Sequence, residues 1–380
     1  MAATGNEIAQ NRVAPDRISP GLSVYLDLVR VAAALDVMIG HAQIANLIPQ
    51  LPFIRDTLPA AIIIFFVLSG YIIESTTQKD AGVKTYAIHR MARMYSVALP
   101  AVILSLACII GFAIVSGPAE IEQLMASWSQ LWQIPVILMF RGEDWFSELE
   151  LFWNGPFWSL HFEVAYYIVY GFLLLPASRT RALAVGAFLL LIGPKIILLF
   201  PCWWIGVELA RRPSLRFPGP RSALAALFLS PVIIAVIVHL KLGETFLYAL
   251  ESLFPWYHLL GHAEPFLVYY VIALLVCMNF VAARQLHSGI GRALRKARQF
   301  IHGIAGYTFS IYLFHRPLQN LIAHFYTART GDTFITVSIQ IGILAIIFLI
   351  GSFTERRAKH LRVVISHFVD RQGHDRQQPV

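Results

Sequence analysis

Four ionisable side chains, Asp27, Arg30, Asp36 and His41, stand in one apolar stretch near the start of the chain. A charge inside a membrane helix costs about 2.5–3.5 kcal/mol on insertion scales, so each needs a partner or a task. Arg30 and His41 are eleven residues apart. That is close to three helical turns, which puts both on one face about 16 Å apart. Asp27 lies on nearly the same side as Arg30. An imidazole there can take a proton and a guanidinium can hold an anion. A structural account also stands, with Arg30 snorkelling to the cytoplasmic interface and His41 packing between helices.

Further candidates follow in patches. The run IIIFFVLSGYII carries Ser69 and Gly70, small enough for close helix approach. HRMARMYS then places Arg90 and Arg93 three residues apart on one helical face. Paired guanidiniums suit phosphate through forked geometry, although a basic segment also serves as a topology signal. NGPFWSLHFE sets Ser159 and Glu163 one turn apart, with His161 between them on another face. GYTFSIYLFHRP holds His315 and Arg316 deep in an apolar helix, and Glu355 opens the closing TERRAKHLR.

The elements that must position these groups follow from composition. Of 380 residues, 57% are hydrophobic and 14% charged, where a soluble domain carries about 25% charged. Ten apolar segments are predicted as helices: Tyr25–Leu47, Leu58–Ser75, Tyr95–Val115, Pro156–Leu175, Ala182–Pro194, Lys195–Ala210, Ala223–Leu240, Pro265–Ala283, Ala305–Phe325 and Phe334–Phe353. The halves of 182–210 are short for full crossings, so this stretch is either two short helices or one crossing plus a re-entrant piece. Alternating strand patterning is absent, which argues against a barrel. The reading is an all-α polytopic membrane protein of about ten transmembrane helices in a lipid bilayer.

Most of the 30 basic residues fall in alternate connections, among them Arg12, Arg17, Lys79, Arg90, Arg93, Arg211, Arg212 and Arg295, while the others hold Arg55, Arg141, Lys241, Arg329 and Lys195. The positive-inside rule then puts the N- and C-termini in the cytoplasm. Residues 1–23 read as a cytoplasmic tail without a signal-peptide centre, 24–355 as the transmembrane domain, and 356–380 as a basic cytoplasmic tail. Net charge is +8, but the cations are not gathered into a patch, which disfavours nucleic acid. Cys108, Cys202 and Cys277 have neither zinc nor redox spacing, and no metal site is expected.

R-x10-H in the first helix, then FFVLSGY, RxxR, NGPFWSLxxE and YxxSIYLFH, in this order from Tyr25 to Glu355, closely resembles the acyltransferase 3 family, in its form without a soluble SGNH-like domain. The resemblance implies an integral membrane O-acyltransferase of the bacterial inner membrane. It would take an acyl group from cytoplasmic acyl-CoA, with acetyl-CoA as the common donor and no bound cofactor. The acceptor would be a hydroxyl of a surface glycan or lipid-linked saccharide.

Carried over residue by residue, Arg30 and His41 match the R-x10-H pair, Arg90 and Arg93 the RxxR segment, Ser159 and Glu163 the WSLxxE segment, and His315 the late-helix histidine. His41 is then the expected general base, with Arg30 and Glu163 as catalytic partners. Arg90, Arg93 and Ser69 are expected at the acyl-CoA, and Ser159, His161 and His315 at the acceptor. Transfer is either direct or relayed through Ser69 or Ser159. His89, Ser96, His161, Asp36 and Arg316 depart from the pattern and belong to acceptor specificity or to structure. A secondary transporter or channel remains the rival from another class, since buried charges and broken helices mark those too.

Overall fold

A computed structural model describes residues 18–50, 54–77, 80, 82–126, 130–254, 256–327 and 333–375. Of the basic residues in the topology reading, Arg12, Arg17, Lys79 and Arg329 lie outside them, as do most of the N-terminal tail and residues 376–380.

Every predicted segment is a helix. The order is α1 (Pro20–Ile44), α2 (Ile54–Thr77), α3 (Val83–Ser116), short α4 (Pro118–Ala126) and α5 (Gln133–Leu138), then α6 (Trp158–Leu174), α7 (Arg179–Ile192), α8 (Pro194–Arg211) and α9 (Pro220–His239). There follow α10 (Leu242–Leu253), α11 (Phe266–Gln285), short α12 (His287–Ala293) and α13 (Arg298–Ala305), α14 (Thr308–Ala323), α15 (Thr333–Phe353) and α16 (Ala358–Asp375). No strand occurs among the described residues. Among the described residues, six helical segments are long and apolar enough to cross a bilayer, or seven if the bent pair α7–α8 is one span. The polar-studded α1 and the 16-residue α14 are not among them.

Several boundaries differ from expectation for local reasons. Helix α1 begins at Pro20, because the Ser19 hydroxyl accepts from the Leu22 amide at 3.3 Å and Pro20 suits the first turn. The tail read as 1–23 therefore ends earlier. Helix α3 starts twelve residues before Tyr95, so the RxxR segment is helix rather than connection. The C-terminal stretch read as a tail forms α16, which packs on α3. There Lys84 pairs with Asp370 at 2.5 Å, and Arg362 meets His89 at 3.2 Å.

Helix α2 is the hub, packed against α1 and α8. At its crossing with α8, a Cβ on Gly70 would run into the Trp203 carbonyl, and one on Gly206 into that of Val67. The glycines therefore let the two backbones touch. Around this crossing lie the fully buried Trp203, Tyr166, Phe157 and Phe162. Helices α9 and α15 instead expose large apolar side chains, such as Phe228 and Leu349, as lipid-facing surface does.

Between α7 and α8 the chain bends by 118° at Gly193, whose φ of +80° favours glycine. Lys195, expected in or beside an outer connection, is instead fully buried in the first turn of α8. Its ammonium donates to Glu143 at 2.6 Å and to the Ser147 carbonyl at 2.6 Å. This ties the bend to the irregular 140–154 segment. Burial pushes the Glu143 carboxyl up to about 7, against the pull of Lys195.

Candidate functional site

One cavity of about 310 Å³ opens among α1, α2, α3, α6 and α14. It collects side chains that sequence reading could only place on separate helices. Arg30 enters from α1, Ser69 from α2, Arg90 and Arg93 from α3, and Ser159 and Glu163 from α6. Tyr167, Phe309 and Tyr312 complete the wall.

The three arginines give this space its charge. Arg30 donates to Asp27 at 2.8 Å, and Asp27 is held in turn by His302 at 2.9 Å. The Arg90 guanidinium lies 5.7 Å from the Tyr86 ring centre and that of Arg93 5.9 Å from Phe309. Such faces steady a cation without neutralising it. The buried Nε atoms of Arg30 and Arg90 have no hydrogen-bond partner. Buried donors left so are unusual and suit an anionic guest.

Opposite them, the Ser69 hydroxyl donates to Glu163 at 2.6 Å and accepts from the Trp203 indole at 3.2 Å. Tyr167, one turn after Glu163, donates to the same carboxylate oxygen. Glu163 therefore holds a pair of hydroxyls, from Ser69 and Tyr167. Ser159 shares a 2.8 Å hydrogen bond with Tyr312, and the Tyr312 hydroxyl also donates to the Pro156 carbonyl at 3.1 Å.

His41 does not line this cavity. It packs against His315, with ring centroids 5.1 Å apart, one turn along α14 from Tyr312. His41 Nδ1 lies 2.9 Å from the Val37 carbonyl and His315 Nδ1 2.8 Å from that of Ile311. A carbonyl only accepts, so both Nδ1 atoms carry the proton and both Nε2 atoms present a lone pair. Arg316 donates to the His41 carbonyl at 3.3 Å, and Asp36 accepts from Thr57 at 2.8 Å.

His161, expected at the acceptor, sits elsewhere. Its Nδ1 accepts from the Gly142 amide at 3.1 Å, and its ring lies among Phe140 and Phe157. Three residues of the site escaped the sequence reading: Tyr167 and Tyr312 on the wall, and Trp203 behind Ser69. The one-turn spacing of Tyr167 from Glu163 and of Tyr312 from His315 was an available signal. Trp203 offered none, since its indole reaches Ser69 across 134 residues.

A family model described as an acyltransferase domain matches residues 23–354. No curated protein and no solved structure matches the chain. The match runs over nearly all the helices that build the cavity and the histidine pair, and the chain belongs to the acyltransferase 3 family of integral membrane proteins.

Proposed function

We propose that this acyltransferase moves an acyl group, acetyl in the first instance, from cytoplasmic acyl-CoA to a hydroxyl of a surface glycan or lipid-linked saccharide at a bacterial inner membrane. The observation that carries the reading is the convergence of Arg30, Arg90 and Arg93 on one cavity with Ser69 and Glu163. Three guanidiniums around one space suit the phosphates of a nucleotide thioester, and forked donors bind phosphate better than a lysine does.

A sugar hydroxyl is a weak nucleophile at neutral pH, so its proton must leave as the new ester bond forms. His41 is suited to take it, because the Val37 carbonyl fixes the Nδ1 proton and leaves the Nε2 lone pair free. The atom that carried the acyl group then leaves and takes up a proton, which returns His41 to its neutral form. The cavity wall ends on α14 at Tyr312, and His315 follows on the next turn. The acyl carbon and an acceptor at His41 therefore have to meet across the Ser159–Tyr312 pair.

The test compares surface glycans by mass spectrometry from cells with and without the protein, alongside acetyl-CoA consumption by the purified protein in nanodiscs. Acyl groups lost from one glycan when the protein is absent, with CoA released by the purified chain, are expected. Glycans unchanged in acylation, with solute flux through the purified protein, would replace this reading with a transporter.

A further inference from the structure

The donor cavity contains a nucleophile and base already hydrogen-bonded to each other, and neither is the histidine. Ser69 Oγ stands 2.6 Å from a Glu163 carboxylate oxygen, within reach for proton removal. Tyr167 donates to that oxygen and lies 3.0 Å from Ser69 Oγ, which orients the carboxylate. The Trp203 indole N–H at 3.2 Å supplies Ser69 Oγ with a donor, leaving its own proton for Glu163. Nucleophile, base and an orienting third group within hydrogen-bond distance form the arrangement expected of covalent catalysis.

Packing alone does not call for a hydroxyl here. The close crossing of α2 and α8 is made by Gly70 and Gly206, whereas Ser69 turns toward the cavity and is only half-buried. Ser159, the other serine on the wall, is bonded to Tyr312 and the Pro156 carbonyl and touches no base. The arginines share the cavity with Ser69, while the His41–His315 pair lies beyond its wall. An acyl group delivered by a donor held at Arg90 and Arg93 therefore meets Ser69 before it meets an imidazole.

We propose that Ser69 is a transient acyl carrier, activated by Glu163, which splits the reaction into two half-transfers. This rests on the acyl-CoA reading above. In the first half, Ser69 Oγ attacks the thioester carbonyl carbon as its proton passes to Glu163. The tetrahedral adduct collapses, the C–S bond breaks, and Glu163 returns the proton to the departing thiolate. The products are free CoA and a Ser69 ester. In the second half, the acceptor hydroxyl attacks the ester carbonyl as its proton passes to His41, and this is the proton returned to Ser69. The Ser69 alkoxide leaves and is reprotonated, restoring the hydroxyl. No oxidant or reductant is involved.

The test needs no knowledge of the acceptor. Purified full-length protein in nanodiscs is given acetyl-CoA and isotopically labelled CoA, with no saccharide present. A carrier makes the first half reversible, so label must exchange into acetyl-CoA, and the peptide containing Ser69 must gain one acetyl group. Ser69→Ala and Glu163→Gln should abolish exchange, whereas Ser338→Ala, on the exposed face of α15, should retain it. Ser69→Cys should retain the adduct as a thioester, now cleaved by neutral hydroxylamine, which shows that the fold survives substitution there. Overturning results are wild-type acylation of glycans by Ser69→Ala, or acceptor-dependent CoA release with neither exchange nor adduct. A protein that consumes no acyl-CoA under any condition overturns the donor reading, and the carrier with it.

Discussion

The rings of His41 on α1 and His315 on α14 lie 5.1 Å apart between centroids, and each is locked in the same tautomer by the carbonyl four residues before it. Two bare Nε2 atoms thus sit together in an apolar setting, and His315 Nε2 has no hydrogen-bond partner. A ring held with its Nε2 lone pair bare can take up a proton, which suits a base at this point in the helix pair.

His41→Gln tests that role. An amide can hydrogen-bond but cannot accept the proton, so acyl transfer to the acceptor should fall by roughly 10²–10⁴-fold. Membrane insertion and yield should match the unsubstituted protein. Turnover near the original value would make His41 a packing residue and move the base to His315.

Arg90→Ala together with Arg93→Ala should raise the apparent KM for acyl-CoA far more than it lowers the maximal rate. Each charge-assisted contact with phosphate contributes about 1.5–3 kcal/mol. Steady-state kinetics over a range of acetyl-CoA concentrations decides it, and an unchanged KM removes these arginines from the donor site.

Lys195→Met or Glu143→Leu alone leaves the other charge buried without its partner, which costs about 3–5 kcal/mol. Each single variant should therefore unfold well below the unsubstituted protein in a thermal scan in detergent. The double variant, with both charges replaced by apolar groups, should recover most of the loss. If the double variant is no better than the singles, the pair is not what pins the bend.

Sidedness can be read by thiol labelling, because Cys108, Cys202 and Cys277 are all buried and should stay silent. A cysteine replacing the exposed Lys84 should react only from the cytoplasm. One replacing the exposed Phe146 should react only from outside. Labelling of position 84 from outside would invert the orientation drawn from the basic residues.

Most helices were legible because they are long apolar runs that hydropathy alone finds, while α1 and α14 keep enough apolar residues around their polar ones to stand out. Their ends were less so. Arg90 and Arg93 read as a basic connection, yet α3 runs straight through them because its apolar face continues back to Tyr86 and Ile88. The cavity was partly legible, since its arginines, Ser69, Ser159 and Glu163 all stand out as polar groups in apolar surroundings. What the residues could not reveal was which of them meet. The face shared by Arg30 and His41 suggested one site, but the axial distance along α1 puts Arg30 on the cavity and His41 beyond it, packed against His315 of α14. Lys195 was misread because its partner, Glu143, comes from a segment without any periodic pattern.

The bend between α7 and α8 bears on how far an acyl group must travel. Helix α7 has 14 residues, a rise of about 21 Å, against a hydrocarbon core of about 30 Å. With Arg179 and Arg181 at its start and Arg211 and Arg212 at the end of α8, the positive-inside rule predicts both ends of the pair on the cytoplasmic side, with a tip that stops short of the opposite interface. The polar 140–154 segment has to dip inward to reach Lys195 there. On that orientation the apolar layer beside α8 is expected to be thinner than the surrounding lipid. Helix α8 packs on α2, which carries Ser69, so the way from the cavity to the outer face is expected to be shorter than the full membrane.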